Sequence, residues 1–115
     1  MAITEAFTGS QDVSTSEWSM TTDSAGPDTE TSDGVFQAFV DLNAAAAGDR
    51  FEFRLYEKAQ SGDTQRLAYR EVFDGAQTEP LFISPSFVLI NGWDMTLLKI
   101  AGTDRTITWS IRKIA

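Results

Sequence analysis

The chain has 115 residues, a formal net charge of −8, no cysteine and no histidine. That length predicts one domain able to bury a core without covalent staples. The composition excludes disulfides and thiolate metal sites, and it removes the commonest general base and zinc ligand.

Charge is unevenly spread. All nine basic residues lie after Asp49, while the first 49 residues carry nine acids. An acidic first half argues against a nucleic-acid partner, because phosphate contacts need Lys and Arg. It argues equally against docking on an anionic membrane. The opening Met-Ala-Ile-Thr-Glu-Ala-Phe lacks the basic and apolar regions of a leader. No apolar run approaches the ~20 residues that span a bilayer. A soluble product made in a cytoplasm is the expectation.

In chain order, residues 3–8 predict a short first strand, with Ile3 and Phe7 as its apolar contacts. Residues 1–10 as a whole read as a possible N-terminal arm reaching a neighbouring chain. Val13 to Thr22 predicts a second strand, with Trp18 and Met20 on one face. Val13 has the opposite parity, so a bulge intervenes or that side chain packs elsewhere. Residues 23–34 form a long acidic loop of turn-forming residues holding Asp23, Asp28, Glu30 and Asp33.

Val35 to Leu42 predicts a strand with Phe36, Ala38, Val40 and Leu42 on one face. Val35 and Phe39 lie on the other face, so both sides of this strand are expected to be covered. Asn43 to Gly48 predicts one helical turn, with Asn43 placed to cap its start and Gly48 its end.

Arg50 to Lys58 and Arg66 to Phe73 predict an antiparallel hairpin turning at Ser61-Gly62-Asp63. Glu52, Arg54, Arg66 and Arg70 are expected as exposed cross-strand ion pairs. Pro80 to Ser84 resumes extended structure and Pro85 marks a bend. Phe87 to Ile90, Trp93 to Ile100 and Thr106 to Arg112 predict three further strands, read as a meander joined at Asn91-Gly92 and at 101–105. The sum is an all-β, antiparallel two-sheet β-sandwich of about eight strands, Greek-key or jelly-roll-like, occupying residues 1–115 as one domain.

A hydrolase would need an activated nucleophile. There is no histidine to activate one, no Gly-x-Ser-x-Gly elbow, and only Lys58, Lys99 and Lys113 as substitute bases. The acids of the 23–34 loop do not have EF-hand spacing. No phosphate-cradling glycine loop occurs. The expectation is a non-enzyme without cofactor or metal. Trp18 and Trp109 fit a core. Trp93, beside the Asn91-Gly92 turn, is the tryptophan expected to be partly exposed, and with Tyr56 it offers a sugar platform.

Three segments carry a resemblance. They are Gly-Val-Phe-Gln-Ala-Phe-Val-Asp-Leu-Asn-Ala-Ala-Ala-Ala-Gly-Asp-Arg-Phe-Glu-Phe-Arg-Leu-Tyr-Glu-Lys at 34–58, Asn-Gly-Trp-Asp-Met-Thr-Leu at 91–97, and Ala-Gly-Thr-Asp-Arg-Thr-Ile-Thr-Trp-Ser-Ile-Arg at 101–112. They resemble small virion proteins of tailed bacteriophages, in particular head decoration, or cement, proteins. The resemblance implies a place on the capsid surface of a virion, contacts with a major capsid protein, and self-association as a homotrimer. It transfers no catalytic residue. The interface residues expected on this reading are Ile3, Phe7, Asp28 and Trp93. The competing expectations are a head–tail connector or tail component, and a glycan-binding module.

Overall fold

A computed structural model describes residues 2–114. Ten strands form two antiparallel sheets of five. Sheet A holds β1 (Ile3–Val13), β10 (Arg105–Ile114), β4 (Gly34–Asp41), β7 (Leu81–Ile83) and β8 (Phe87–Leu89). Sheet B holds β3 (Ser24–Ala25), β2 (Trp18–Ser19), β9 (Asp94–Ala101), β5 (Arg50–Glu57) and β6 (Arg66–Asp74). No helix among the described residues is long and apolar enough to cross a membrane.

The sandwich follows from period-two alternation. On β4, Phe36, Ala38 and Val40 are buried, and on β10 so are Ile107, Trp109 and Ile111. Sheet B answers with Phe51, Phe53 and Leu55 of β5 and Met95 and Leu97 of β9. Each row covers the other, removing both from water at about 25 cal/mol per Å² of apolar surface. Aromatic rings lock the middle: Phe36 lies 4.5 Å from Trp93, and Phe53 lies 5.6 Å from Phe82, centroid to centroid. Trp109 packs flat on Gly9, where an added Cβ would come within 2.6 Å of the indole.

Several expectations change. The last three strands are not a meander: β8 and β10 belong to sheet A, while β9 lies between β2 and β5 in sheet B. Alternation identifies which residues share a face, but either sheet satisfies the same pattern. The 102–104 connection therefore crosses between sheets, and Gly102 takes φ +91° there. Residues 3–13 are not a loose arm. They pair with β10 along their whole length, from Ile3 opposite Ile114 to Val13 opposite Arg105, with an irregularity between Glu5 and Phe7.

Val13 ends β1 in the core, and Trp18 begins a different strand in the other sheet. That break explains their opposite parity. The alanine run makes turns and no helix. Its backbone is held by Ala45 N–H to Leu42 O (3.0 Å) and by Ala46 N–H to the Asp49 carboxylate (2.9 Å). Four alanines cannot offset helix nucleation, so these local bonds decide. The β5–β6 hairpin forms as expected, with a bulge between Leu55 and Tyr56.

At Pro85 the far edge of β4 changes partner, from β7 to β8. Ser84 fills the interruption: its N–H reaches Ala38 O (2.9 Å), and its hydroxyl accepts from Ala38 N–H (2.9 Å). The Ser84 hydroxyl thus supplies the acceptor that a strand carbonyl would give Ala38 N–H at this break, and it donates in turn to Pro85 O (2.8 Å).

Candidate docking surface

The two outer faces of the sandwich differ in chemistry. On sheet A the outward row of β4 is Val35, Gln37, Phe39 and Asp41. The β4–β10 register sets these against Ile114, Arg112, Ser110 and Thr108. On the other side Val35 faces Val88 of β8, and Phe39 faces Ile83 of β7. Ile3 of β1 lies opposite Ile114. The result is an apolar field on a flat sheet face. Val88 is 80% exposed, Ile3 67%, Leu81 51% and Ile83 50%. Scattered exposed apolar residues are ordinary in folded proteins, whereas a contiguous set on one face marks an interaction surface. Ile3, Val35, Phe39 and Ile114 line a shallow hollow of about 120 Å³. Arg112 spreads over the Phe39 ring, 3.7 Å from its centroid. It makes no ion pair among the described residues, so its charge remains available to a partner.

Sheet B finishes its outer face with charges satisfied within the chain. Glu17, on the crossing from β1 to β2, accepts from the Tyr56 hydroxyl (2.5 Å), the Thr96 hydroxyl (2.6 Å) and Arg54 Nη1 (3.3 Å). Glu52 is buried and takes Arg54 and, at 3.6 Å, Arg70. Of the expected cross-strand ion pairs only Glu52 with Arg70 forms, and around a buried carboxylate rather than in open solvent; Arg54 pairs with Glu52 along the same strand, and Arg66 makes no ion pair among the described residues. Burial, then the neighbouring Glu17 carboxylate, pushes the Tyr56 hydroxyl pKa up. Leu67 and Val72, on the outermost strand β6, are partly exposed beside this network.

The four residues expected at an interface separate. Ile3 lies at the border of the sheet A field. Phe7 turns inward, edge-on to Trp93 at 5.9 Å. Trp93 is fully buried, with its indole N–H bonded to Ser32 O at 2.8 Å. It is neither an interface residue nor a sugar platform. The glycine before it takes the left-handed turn, which swings the tryptophan into the core instead of out of it. Tyr56 is half-buried, with its hydroxyl donating to Glu17.

Asp28 lies in the 23–34 loop, which is a pinned segment and not a free excursion. Glu30 and Trp93 exchange backbone bonds of 2.7 and 2.9 Å. Asp28 N–H donates to Asp94 Oδ2 (2.7 Å), and the Asp28 carboxylate accepts from Thr22 Oγ1 (2.7 Å).

Asp94 is the hub that sequence reasoning missed. Its Oδ1 accepts from Ser19 Oγ (3.0 Å), Thr21 Oγ1 (2.8 Å) and Met95 N–H (2.9 Å). No cation pairs with it among the described residues. Burial raises its pKa, against the lowering effect of those hydrogen bonds. A second missed carboxylate, Asp49, accepts from Thr103 N–H, Ala46 N–H and Arg105 Nε. These bonds, the two backbone donors foremost, lower its pKa to about 2. Both hubs are single acids flanking strands, and no periodicity flags such a residue.

Among the described residues no three potential metal ligands converge, and Asp23, Asp28 and Glu30 of the loop accept local hydrogen bonds. No family model, curated protein or solved structure matches the chain.

Proposed function

We propose that this protein is a non-enzymatic structural module that decorates the capsid surface of a tailed-bacteriophage virion and stabilises the shell by joining major capsid subunits. Two things support the reading: the likeness of residues 34–58, 91–97 and 101–112 to phage decoration proteins, and the apolar outer face of sheet A. The second carries it. A chain of net charge −8 remains dispersed, while one apolar field supplies the contact that a shell can bury. Arg112 at its centre fits a carboxylate on the shell. Binding the assembled shell in preference to loose subunits raises shell stability by mass action.

Heads lacking the protein and heads with it restored, compared in heat and osmotic shock, test the role. Decorated heads are expected to survive conditions that open bare ones; equal survival removes the role. Quantitative mass spectrometry of virions separates decoration from a connector or tail part. Hundreds of copies fit a shell, and a dozen or fewer fit a ring. Self-association as a trimer would let one module span a threefold position, and sedimentation of the free protein checks it.

A further inference from the structure

Along one side of the sandwich the two sheets part. The flanking strands there are β6, the outer strand of sheet B, and β7, the outer strand of sheet A. Between them runs an open groove of about 520 Å³. Its floor is aromatic, with Phe73 and Phe82 rings 4.8 Å apart. Glu71 stands on one wall and Glu79 on the other, and no lysine or arginine lines the groove. Neither acid makes an ion pair among the described residues.

An inward acid on a free strand is a known guard against stray pairing, and Glu71 alone would fit that role. A guard does not account for Glu79 across an aromatic-floored space. β6 also offers nine residues paired on one side only. Unsatisfied strand backbone, an apolar floor and two carboxylates without a cation are complementary to one kind of occupant.

We propose that this groove takes an extended segment of another protein, paired to β6, with an apolar side chain over Phe73 and Phe82 and flanking lysine or arginine side chains at Glu71 and Glu79. The groove borders the apolar face of sheet A and shares Leu81 and Ile83 of β7 with it, but its aromatic floor and both acids lie off that face, and the proposal does not depend on the capsid reading.

The test uses the full chain, isotope-labelled, titrated with the peptide acetyl-Lys-Val-Phe-Val-Lys-amide and its counterpart with Glu replacing both Lys. The basic peptide is expected to shift amides of Arg70 to Asp74 and Gln77 to Ile83 and to slow amide exchange on β6. The acidic peptide should bind at least about tenfold more weakly, as should the basic peptide to Glu71→Gln/Glu79→Gln protein. Both acids are partly or fully exposed, so that variant is expected to fold, which its unperturbed spectrum elsewhere verifies. Equal binding of the two peptides, absence of shifts at millimolar peptide, or shifts confined to Val35, Phe39 and Val88 would each overturn the proposal. Self-association of the free protein that sedimentation shows to be abolished by Glu71→Gln/Glu79→Gln would place a second copy in the groove and overturn it too. Head binding measured on the same variant is expected to be unchanged, so the groove and the capsid reading fail independently.

Discussion

On the outside of sheet B, Glu17, Glu52, Arg54, Tyr56 and Thr96 satisfy one another, with Leu67 and Val72 of β6 exposed beside them. On the outside of sheet A, Val35, Phe39, Ile83, Val88 and Ile114 form an apolar row on which Arg112 covers the Phe39 ring. Both faces arise from the same strand geometry and the same alternation. The difference lies in which residues fill the outward positions. A face closed by its own hydrogen bonds contributes to folding, whereas a face left apolar contributes only when something covers it.

Substitutions on the two faces should therefore separate binding from stability. The largest expected effect is on binding. Ile83→Asp combined with Val88→Asp should weaken association with heads on the order of 100-fold or more. It should change unfolding free energy by no more than about 1 kcal/mol, since both side chains are exposed. Head pull-down and urea unfolding give the two readouts. A large stability loss with intact binding would reverse the assignment of the faces.

The opposite pattern is expected on sheet B. Arg54→Ala leaves the buried Glu52 carboxylate with only the longer Arg70 contact. It should cost about 2–3 kcal/mol of stability, with partial solvent access to Arg54 tempering the penalty of an unpaired buried charge. Head binding per folded molecule should not change.

Gly9→Ala tests the edge of sheet A without touching its outer face. The added methyl meets the Trp109 ring at 2.6 Å and should cost roughly 1–3 kcal/mol in repacking. Near-ultraviolet circular dichroism would follow the tryptophan.

The smallest effects are pH-dependent and belong to the carboxylate hubs. The folded pKa of Asp49 lies below its unfolded value of 3.8, at about 2. The stability it supplies is present above pH 4 and is lost as pH falls through that interval. Asp49→Asn should flatten the stability profile between about pH 4 and pH 2. Asp94 has the opposite sign. Its raised folded pKa means that its contribution is complete in acid and declines as pH rises through the folded value. Asp94→Asn should not recover the loss. The three donors at Oδ1 would hold the amide oxygen there and point the NH₂ at Asp28 N–H. Urea midpoints across pH measure both.

Much of the fold was legible. Alternation in 50–58 and 106–112 placed Phe51, Phe53, Ile107 and Trp109 in a core, and the sandwich followed. Val35 and Phe39 are also readable as a second apolar row on β4, but that row reads as covered within the fold, whereas it lies half-buried on the outer face of sheet A. Sheet membership was not readable, because β9 and β10 show the same pattern as any hairpin. Trp93 was placed near the surface because it follows a turn. Its burial depends on φ +102° at Gly92 and on the bond to Ser32, both properties of the assembled chain. Asp94 and Asp49 are invisible to periodicity because their value lies in donors that arrive from 66 and 54 residues away.

The pairing of β1 with β10 has a consequence for synthesis. Eight strands separate β1 from its neighbour β10 in the chain, so an acidic, apolar-dotted ribbon must wait for their synthesis before its hydrogen bonds exist. Sheet A therefore closes late, by a contact of nearly maximal sequence separation, and such topologies assemble slowly. During that interval its core row is open to solvent, and the negative charges gathered in the first half make nascent copies repel one another.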